Sequence, residues 1–408
     1  MHHNTDILIV GGGAFGTSTA YHLAQRGYTS VRVLDRYAAP SLEAASTDIS
    51  KIIRSDYNDP LYAAMGVESI SAWRSWDILR DLYYVTGWIL SAAHRSIPFV
   101  EGSIETCERL GVTGLERMTP DQIRRRFPLI TGELDAWNVN VWNPTAGWAK
   151  SGEALGRMAL AAQEKGVQYI SGEGGYVRKM VYEGDRCTGV ITEDGTTHNA
   201  DMVIMAAGAW TPSLVDLNGQ LTAKGHAVAH IQLTPEETQR YQTLPILDNL
   251  EHGYFLPAQE DGIFKLAHSQ FVTNEATDPR SGITTSIPHT FGDNPEDDIP
   301  MEIEQTMRRN LRRVLPELAD RPFCYTRLCW DADTVDRDFL VTPHPVLQVL
   351  GKYIVDLLEG CLDPAIVHQW RWRPDTASSK NLAHADPDME LKELSGWRGR
   401  KFHKSGKL

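Results

Sequence analysis

The sequence predicts an α/β fold in which a nucleotide-type βαβ domain is interrupted by an inserted mixed-sheet domain. Three observations carry this reading. A complete strand–turn–helix–strand unit opens the chain, a second buried strand ends in small residues at 201–208, and strand patterns fill 224–233 and 253–273. At 408 residues the chain exceeds one ordinary core, since a domain holds ~100–200 residues.

Residues 6–10, Asp-Ile-Leu-Ile-Val, form the short apolar run of a buried parallel strand. Gly11-Gly-Gly-Ala-Phe-Gly16 follows. A helix is expected from Thr17 to Arg26, with Ala20, Leu23 and Ala24 at helical spacing and Gly27 as its stop. Val31-Arg-Val-Leu-Asp35 is the next strand. Residues 61–81 read as an amphipathic helix carrying Trp73 and Trp76, and 151–165 as an alanine-rich helix stopped by Gly166. From Val167 the pattern turns to strands at 167–171, 176–182 and 188–192, the last before the turn Glu193-Asp-Gly195. Asp261-Gly262 marks a hairpin turn inside 253–273. The polar stretch 274–300, with Pro288, Pro295 and Pro300, reads as a long surface connection. Helices are expected at 301–315 and 350–359, and little periodicity beyond Gln369.

Composition narrows the function classes. Apolar residues make up 42 % and charged residues 23 %, near the soluble globular average, which excludes wholesale disorder. Lys and Arg number 40 against 53 Asp and Glu, a formal charge of −13, which argues against nucleic-acid or anionic-membrane partners. No apolar run approaches the ~18 residues of a membrane span, and no segment has the pattern of a signal peptide. The five cysteines (Cys107, Cys187, Cys324, Cys329, Cys361) have neither disulfide nor metal-ligand spacing, so no metal and a reducing intracellular compartment are expected. The final Gly406-Lys-Leu408 differs from the Ser-Lys-Leu peroxisomal address in its first residue, which leaves cytoplasm and peroxisome as locations.

A glycine trio alone is weak evidence, but here its context is complete. Gly11 permits the tight turn, Gly13 lets backbone approach a pyrophosphate, and Gly16 lets helix pack on strand. The helix N-terminus offers N–H groups and a positive dipole end to phosphate. Asp35 closes the next strand, where a carboxylate can accept ribose hydroxyls. Dinucleotide binding follows. The position of the unit at the N-terminus, and the strand running into Ala206-Ala-Gly-Ala-Trp210, favour FAD over NAD.

With Leu34-Asp-Arg36, Asp48-Ile-Ser-Lys-Ile-Ile-Arg54, Ala206–Trp210 and Cys329-Trp-Asp-Ala-Asp-Thr334 followed by Asp338-Phe, the chain resembles the fungal branch of the monomeric sarcosine oxidase and fructosyl amino acid oxidase (amadoriase) family. The resemblance runs from Asp6 to about Pro374. It implies a Rossmann-like FAD-binding domain of the glutathione reductase / D-amino acid oxidase type, with an inserted mixed-sheet substrate domain. The corresponding segments are 1–85, 148–220 and 322–375 for FAD, 86–147 and 221–321 for substrate, and 376–408 as a C-terminal tail. The family oxidises secondary amines of amino acids (sarcosine, fructosyl amino acids, saccharopine, and N-methyl amino acids of fungal secondary metabolism), with O2 reduced to H2O2. A small-molecule amine, O2 and a monomeric state are therefore implied.

By the same resemblance the cofactor contacts are Gly11, Gly13, Ala14, Phe15, Gly16, Asp35, Arg36, Asp48, Lys51, Val177 and Gly208, with FAD attached covalently at Cys329. Arg54, Tyr254 and His268 would bind substrate, and Lys51 and Lys265 would be catalytic, a lysine by the ring speeding the reaction with O2. Residue chemistry alone leaves more open. Cys329 before Trp330 reads as a small buried hydrophobe, and covalent attachment needs an accessible thiolate. Lys51 and Arg54 read as a solvated face. Lys265, within Ile263-Phe-Lys-Leu-Ala267, is costly unless paired. Ser269 or His268 falls where amadoriases carry a sugar-binding carboxylate.

One segment departs from the family. Thr342-Pro-His-Pro345 passes almost directly into Val346–Gly351 and the helix from Lys352, without the glycine-rich turn of Ser-Gly-His-Gly-Phe-Lys type that wraps the flavin. An exon dropped from the gene sequence, a splice form and a loss of activity each account for this, and the matching flanks favour the first. Beside the oxidase stand two alternatives, an inactive paralogue acting as a binding protein and a flavin dehydrogenase with an acceptor other than O2.

Overall fold

The computed structural model describes residues 1–279, 282–342, 351–374 and 387–400. β1 (Ile7–Val10) has no polar side chain and is buried throughout, which suits the middle of a parallel sheet. It pairs in parallel with β2 (Val31–Leu34) on one side and with Met202–Met205 on the other, and Gln168–Ile170 extends the sheet beyond β2. α1 (Ala14–Gln25) returns the chain between them and buries Ala20, Leu23 and Ala24. It starts at Ala14 rather than Thr17, because glycines carry no periodicity and Gly13 itself is the N-cap.

β3 (Lys51–Ile53) pairs with the strand Gly147–Ala149. α2 (Pro60–Ser75) follows, with Pro60 in its first turn and the Asp59 carboxylate accepting the Leu61 N–H at 2.8 Å. It stops at Ser75 instead of 81, and 77–79 forms a single 3-10 turn.

The second body is a nine-stranded mixed sheet. Its order runs Tyr325–Thr334, Leu221–Gln232, Ile263–Thr273, Gly253–Leu256, Ile246–Asn249, Trp88–Ala92, Val139–Asn143, Glu116–Arg117, with Met389–Glu390 added beside Ile263–Thr273. Three expectations change here. Tyr325–Thr334 pairs along ten residues with Leu221–Gln232, so the strand carrying Cys329 belongs to this sheet and not to the nucleotide domain assigned to 322–375. The tail assigned to 376–408 is packed where described, with Leu391 and Trp397 buried in the core of the large sheet. The stretch 274–300 is not simply a surface connection. Glu275–Thr277 pairs with Thr284–Ser286, and Asp278, Ser286, Thr290 and Asp298 are buried. Polar residues that bond inward carry no hydrophobic pattern, which hides such a segment from the sequence.

Strand alternation gives the large sheet two unlike faces. Phe264, Leu266, Ala229, Ile231, Phe255, Leu247 and Ile89 point to one side, where helix Met301–Arg312 covers them with Ile303, Met307 and Leu311. Each large apolar side chain buried there contributes about 1.5–3 kcal/mol. Residues of the other parity, Lys265, Arg327, Cys329, Tyr254 and Asp248, share the opposite side. Direct cross-strand pairs fix this: Asp248 with Tyr254, Tyr254 with Ala267, Ala267 with Val228, Val228 with Arg327.

Candidate active site

The nucleotide end is built first. Gly11 sits at φ +104°, and a Cβ there would lie 2.4 Å from the Ala206 carbonyl oxygen, so only glycine fits the turn. A Cβ on Gly16 would lie 1.8 Å from the Gly11 carbonyl oxygen, which is the close helix–strand contact its position calls for. A cavity of about 430 Å³ opens here, lined by Gly11, Gly13, Ala14, Phe15, Asp35, Arg36, Val177, Gly208 and, at its other end, Trp330–Asp333. The volume lies in the range of small-molecule sites. The chain itself leaves groups wanting partners: among the described residues Thr47 Oγ1, Ser50 Oγ and Ser213 Oγ are buried without a hydrogen bond, and Ser213 lines the cavity. An elongated, partly polar ligand with a phosphate at the α1 N-terminus matches this lining, and FAD fits that description.

Two expected ribose-end contacts are partly occupied by the protein. Asp35 accepts from Gly12 N at 2.7 Å, Tyr37 N at 2.8 Å and Ser41 Oγ at 2.7 Å, leaving about one of its roughly four acceptor positions. Burial raises its pKa despite these bonds. Arg36 forms a two-bond pair with Asp293, at 2.8 and 2.6 Å, and stacks over Tyr176. It therefore ties the cavity rim to the 290s segment.

The chemistry-bearing cluster lies on the polar face of the large sheet. Asp48 is its hub. Its Oδ2 accepts from Lys265 Nζ at 2.6 Å and from Lys51 Nζ at 2.9 Å, and Arg327 stands 3.8 Å away. Burial works to raise the Asp48 pKa, but Lys265, Lys51 and Arg327 outweigh it and hold the carboxyl well below its usual range. Lys265 is 1 % exposed and also donates to the Ser50 carbonyl at 2.6 Å. Burial, helped by Lys51 and Arg327 and opposed by Asp48, lowers its pKa to about 8. Lys51 is about one-third exposed at its side chain and moves the other way. Burial pulls it down, but the Cys329 sulfur, Asp48 and Tyr254 together raise it. The partner that Lys265 requires is thus Asp48, supplied by the chain.

Cys329 is buried, with its sulfur 3.6 Å from an Arg327 guanidinium nitrogen and 3.7 Å from the Ala45 carbonyl. Trp330 and Asp331, the next two residues, line the cavity. Arg54 has its guanidinium 4.0 Å over the Tyr57 ring and 5.1 Å from Trp88, and donates to the Asp56 carbonyl. Tyr254 is directly opposite Asp248 and near His226, ring centroids 5.7 Å apart.

His268 behaves differently from expectation. The register slips opposite Ala227, so that His268–Gln270 stand against one residue and alternation breaks. The His268 Nδ1 accepts the Gln270 N–H at 3.0 Å, and its carbonyl accepts from His226 Nε2. His226 is the histidine that meets Tyr254.

The sequence reading missed Arg327, His226, His230 and Asp248. His230 pairs directly with Lys265, has an Nε2 without a hydrogen bond among the described residues, and is held neutral with a pKa of about 3 by burial and then by Lys265. Among the described residues no group of His, Cys, Asp and Glu could hold a metal, and no helix is long and apolar enough to cross a membrane. The Pro345–Val346 junction and the C-terminal Gly-Lys-Leu lie outside the described residues.

Comparison with known proteins places the chain within a family. The chain is 31 % identical over 412 residues to L-saccharopine oxidase of Schizosaccharomyces pombe, covering 92 % of this chain and 94 % of that one. Amadoriase II of Aspergillus fumigatus, a deglycating fructosamine oxidase, superposes with a TM-score of 0.88 at 30 % identity over 99 % of both chains. Fructosyl peptide oxidase from E. terrenum gives 0.89 at 29 % identity, covering 98 % of this chain and 99 % of that one. The family model for FAD dependent oxidoreductases, DAO, matches residues 6–358, and the chain belongs to that family.

Proposed function

We propose that the protein oxidises a secondary amine on an amino acid to the imine, with O2 reduced to H2O2. The observation that carries this reading is the Asp48–Lys265–Lys51–Arg327 cluster, three cations on one carboxylate with Asp48, Lys265 and Arg327 buried, on the face that also bears Cys329. Its net positive charge suits a site where negative charge builds during oxygen reduction. FAD, when bound, supplies the two-electron acceptor and passes the electrons on to O2. Arg54, oriented by Tyr57 and Trp88, would take the substrate carboxylate, and Tyr254 would wall the site beside it. The substrate amine gives up its α C–H as hydride and its N–H proton, and water then hydrolyses the imine. No protein base is required, so none is assigned. Lys265 holds a fixed cation at the oxygen side, and Cys329 is the residue that would tether the cofactor. Both lysines, Asp48 and Cys329 are thus read as one assembly.

The test is O2 uptake and H2O2 release with a panel of N-substituted amino acids. Stoichiometric production of aldehyde or ketone, amine and H2O2 is expected, and failure of every member removes the reading. Acid precipitation tests the tether separately: the wild-type pellet keeps its flavin colour and Cys329→Ala loses it.

A further inference from the structure

A short segment of the second body reaches across to the wall of the nucleotide cavity. It runs from His289 to Asp298 and is fixed to the large-sheet body at three points. The Trp330 indole donates to the His289 carbonyl at 2.8 Å, and Phe291 meets the Tyr325 ring edge-on with centroids 6.2 Å apart. The Asp298 N–H donates to the Trp397 carbonyl at 2.8 Å. The tip, Gly292-Asp293, crosses to the loop after β2. Asp293 accepts both bonds of the Arg36 fork, at 2.8 and 2.6 Å, and the Gly292 N–H donates to Glu43 Oε1 at 2.8 Å. The approach is close, since a Cβ on Gly292 would lie 2.2 Å from the Tyr37 hydroxyl. Arg36, Tyr37 and Glu43 all line the cavity, and so does Trp330 at the fixed end.

Energetics separate the two sets of holds. Trp330 and Trp397 belong to the buried core of the large sheet, whereas the side chains of Asp293 and Arg36 are 48 % and 29 % exposed. A partly exposed ion pair contributes little and is screened by salt. The tip is therefore the part that lets go, while the segment stays on its sheet. Thr290 Oγ1 donates to the Asp293 carboxylate at 3.2 Å and keeps the tip shaped for reclosing.

We propose that 289–298 is a strap across the ribose end of the cavity. Parting of Asp293 from Arg36 and of Gly292 from Glu43 is the step that admits and releases the cavity's ligand, read here as FAD. The inference rests on that reading of the cavity and not on the substrate. With the strap shut, the wall formed by Arg36, Tyr37 and Glu43 is held beside Asp35. The closing bonds join protein to protein and need no ligand, so the strap slows entry as well as exit.

The experiment uses the Cys329→Ala protein, in which no thioether at that position can hold the flavin. FAD release into an excess flavin trap and FAD uptake are both followed by flavin fluorescence. Asp293→Ala should speed each by about 3–5-fold, the size of one partly exposed ion pair. Adding Glu43→Ala should bring the gain to on the order of 10-fold. In Asp293→Ala alone Kd should move by less than ~2-fold, because a gate alters both rates alike. Raising salt from about 0.05 M to about 0.5 M should speed release from the parent and leave Asp293→Ala unmoved. Hydrogen exchange of the peptide spanning 289–294 is read in parallel without flavin, and it should be faster in Asp293→Ala. Unchanged rates, faster release with unchanged uptake and weaker binding, or equal hydrogen exchange overturns the strap. Flavin taken up by no variant, with faster exchange in Asp293→Ala, removes FAD from the cavity and leaves the strap as its closure.

Discussion

The two faces of the large sheet come from the same strands, yet they are held by opposite physics. On one side Phe264, Leu266 and Ile231 pack against Met301–Arg312 and owe their place to the removal of apolar area from water. On the other, Lys265 alternates with those residues and is tolerated only because Asp48 and the Ser50 carbonyl meet it. The first face specifies the fold, and the second spends part of that stability on buried charge. The lesson is that a strand such as Ile263–Thr273 encodes both roles by parity alone.

The largest effect should follow from breaking the hub. Asp48→Asn leaves Lys265, Lys51 and Arg327 crowded without their anion, and breaking a buried pair costs about 3–5 kcal/mol. Denaturant unfolding should register that loss, and a change under about 1 kcal/mol would show the cations relaxing into solvent. On the apolar face, Leu266→Ala should cost about 2–5 kcal/mol through lost burial and a cavity. Its O2 reaction, measured per bound flavin, should stay near wild type, because no polar-face group moves.

Asp248 should give the opposite sign. Burial raises its pKa from 3.8 to about 6, with Arg54 opposing. Between those pH values the folded chain binds more protons than the unfolded one, so stability falls as pH rises through this window. Above pH 6 the charge costs up to about 3 kcal/mol, from the shift times 1.36 kcal/mol. Asp248→Asn should therefore stabilise the protein above pH 6 and have no effect below about pH 4. Stabilisation that is the same at pH 4 and pH 8 would place the effect elsewhere.

The smallest effect is a pH slope. Lys265 titrates at about 8 in the folded protein against an ordinary 10.5, so oxygen reactivity should fall as pH rises through about 8. Stability moves the other way. Between 8 and 10.5 the unfolded chain holds the extra proton, so this lysine's burial cost is relieved as pH rises. A flat oxygen rate from pH 7 to 9.5 would remove Lys265 from the oxygen step.

Much of this was legible in the residues. Gly11, Gly16 and the apolar run before them specify the turn, because no other side chain fits it. Lys265 stood out as a charge between Phe264 and Leu266. The same rule applies to Asp248 within Pro245-Ile-Leu-Asp-Asn-Leu250, another buried charge in an apolar strand. Arg327 was findable too, two residues before Cys329 and so on its face. His226 was not, since its meeting with Tyr254 depends on a register slip that no local pattern announces. The packed tail, with Leu391 and Trp397, escaped because two anchors in a polar stretch make no period.

Stopped-flow measurement of the two half-reactions in Lys265→Met and Lys51→Met tests the central claim most directly. A fixed cation in a water-poor site lowers the cost of building charge on O2, and losing one such group costs about 100-fold or more. Lys265→Met should slow reoxidation of the reduced enzyme by at least ~100-fold while anaerobic reduction by substrate changes much less. Equal slowing of both half-reactions, or an oxygen defect confined to Lys51→Met, would contradict the account.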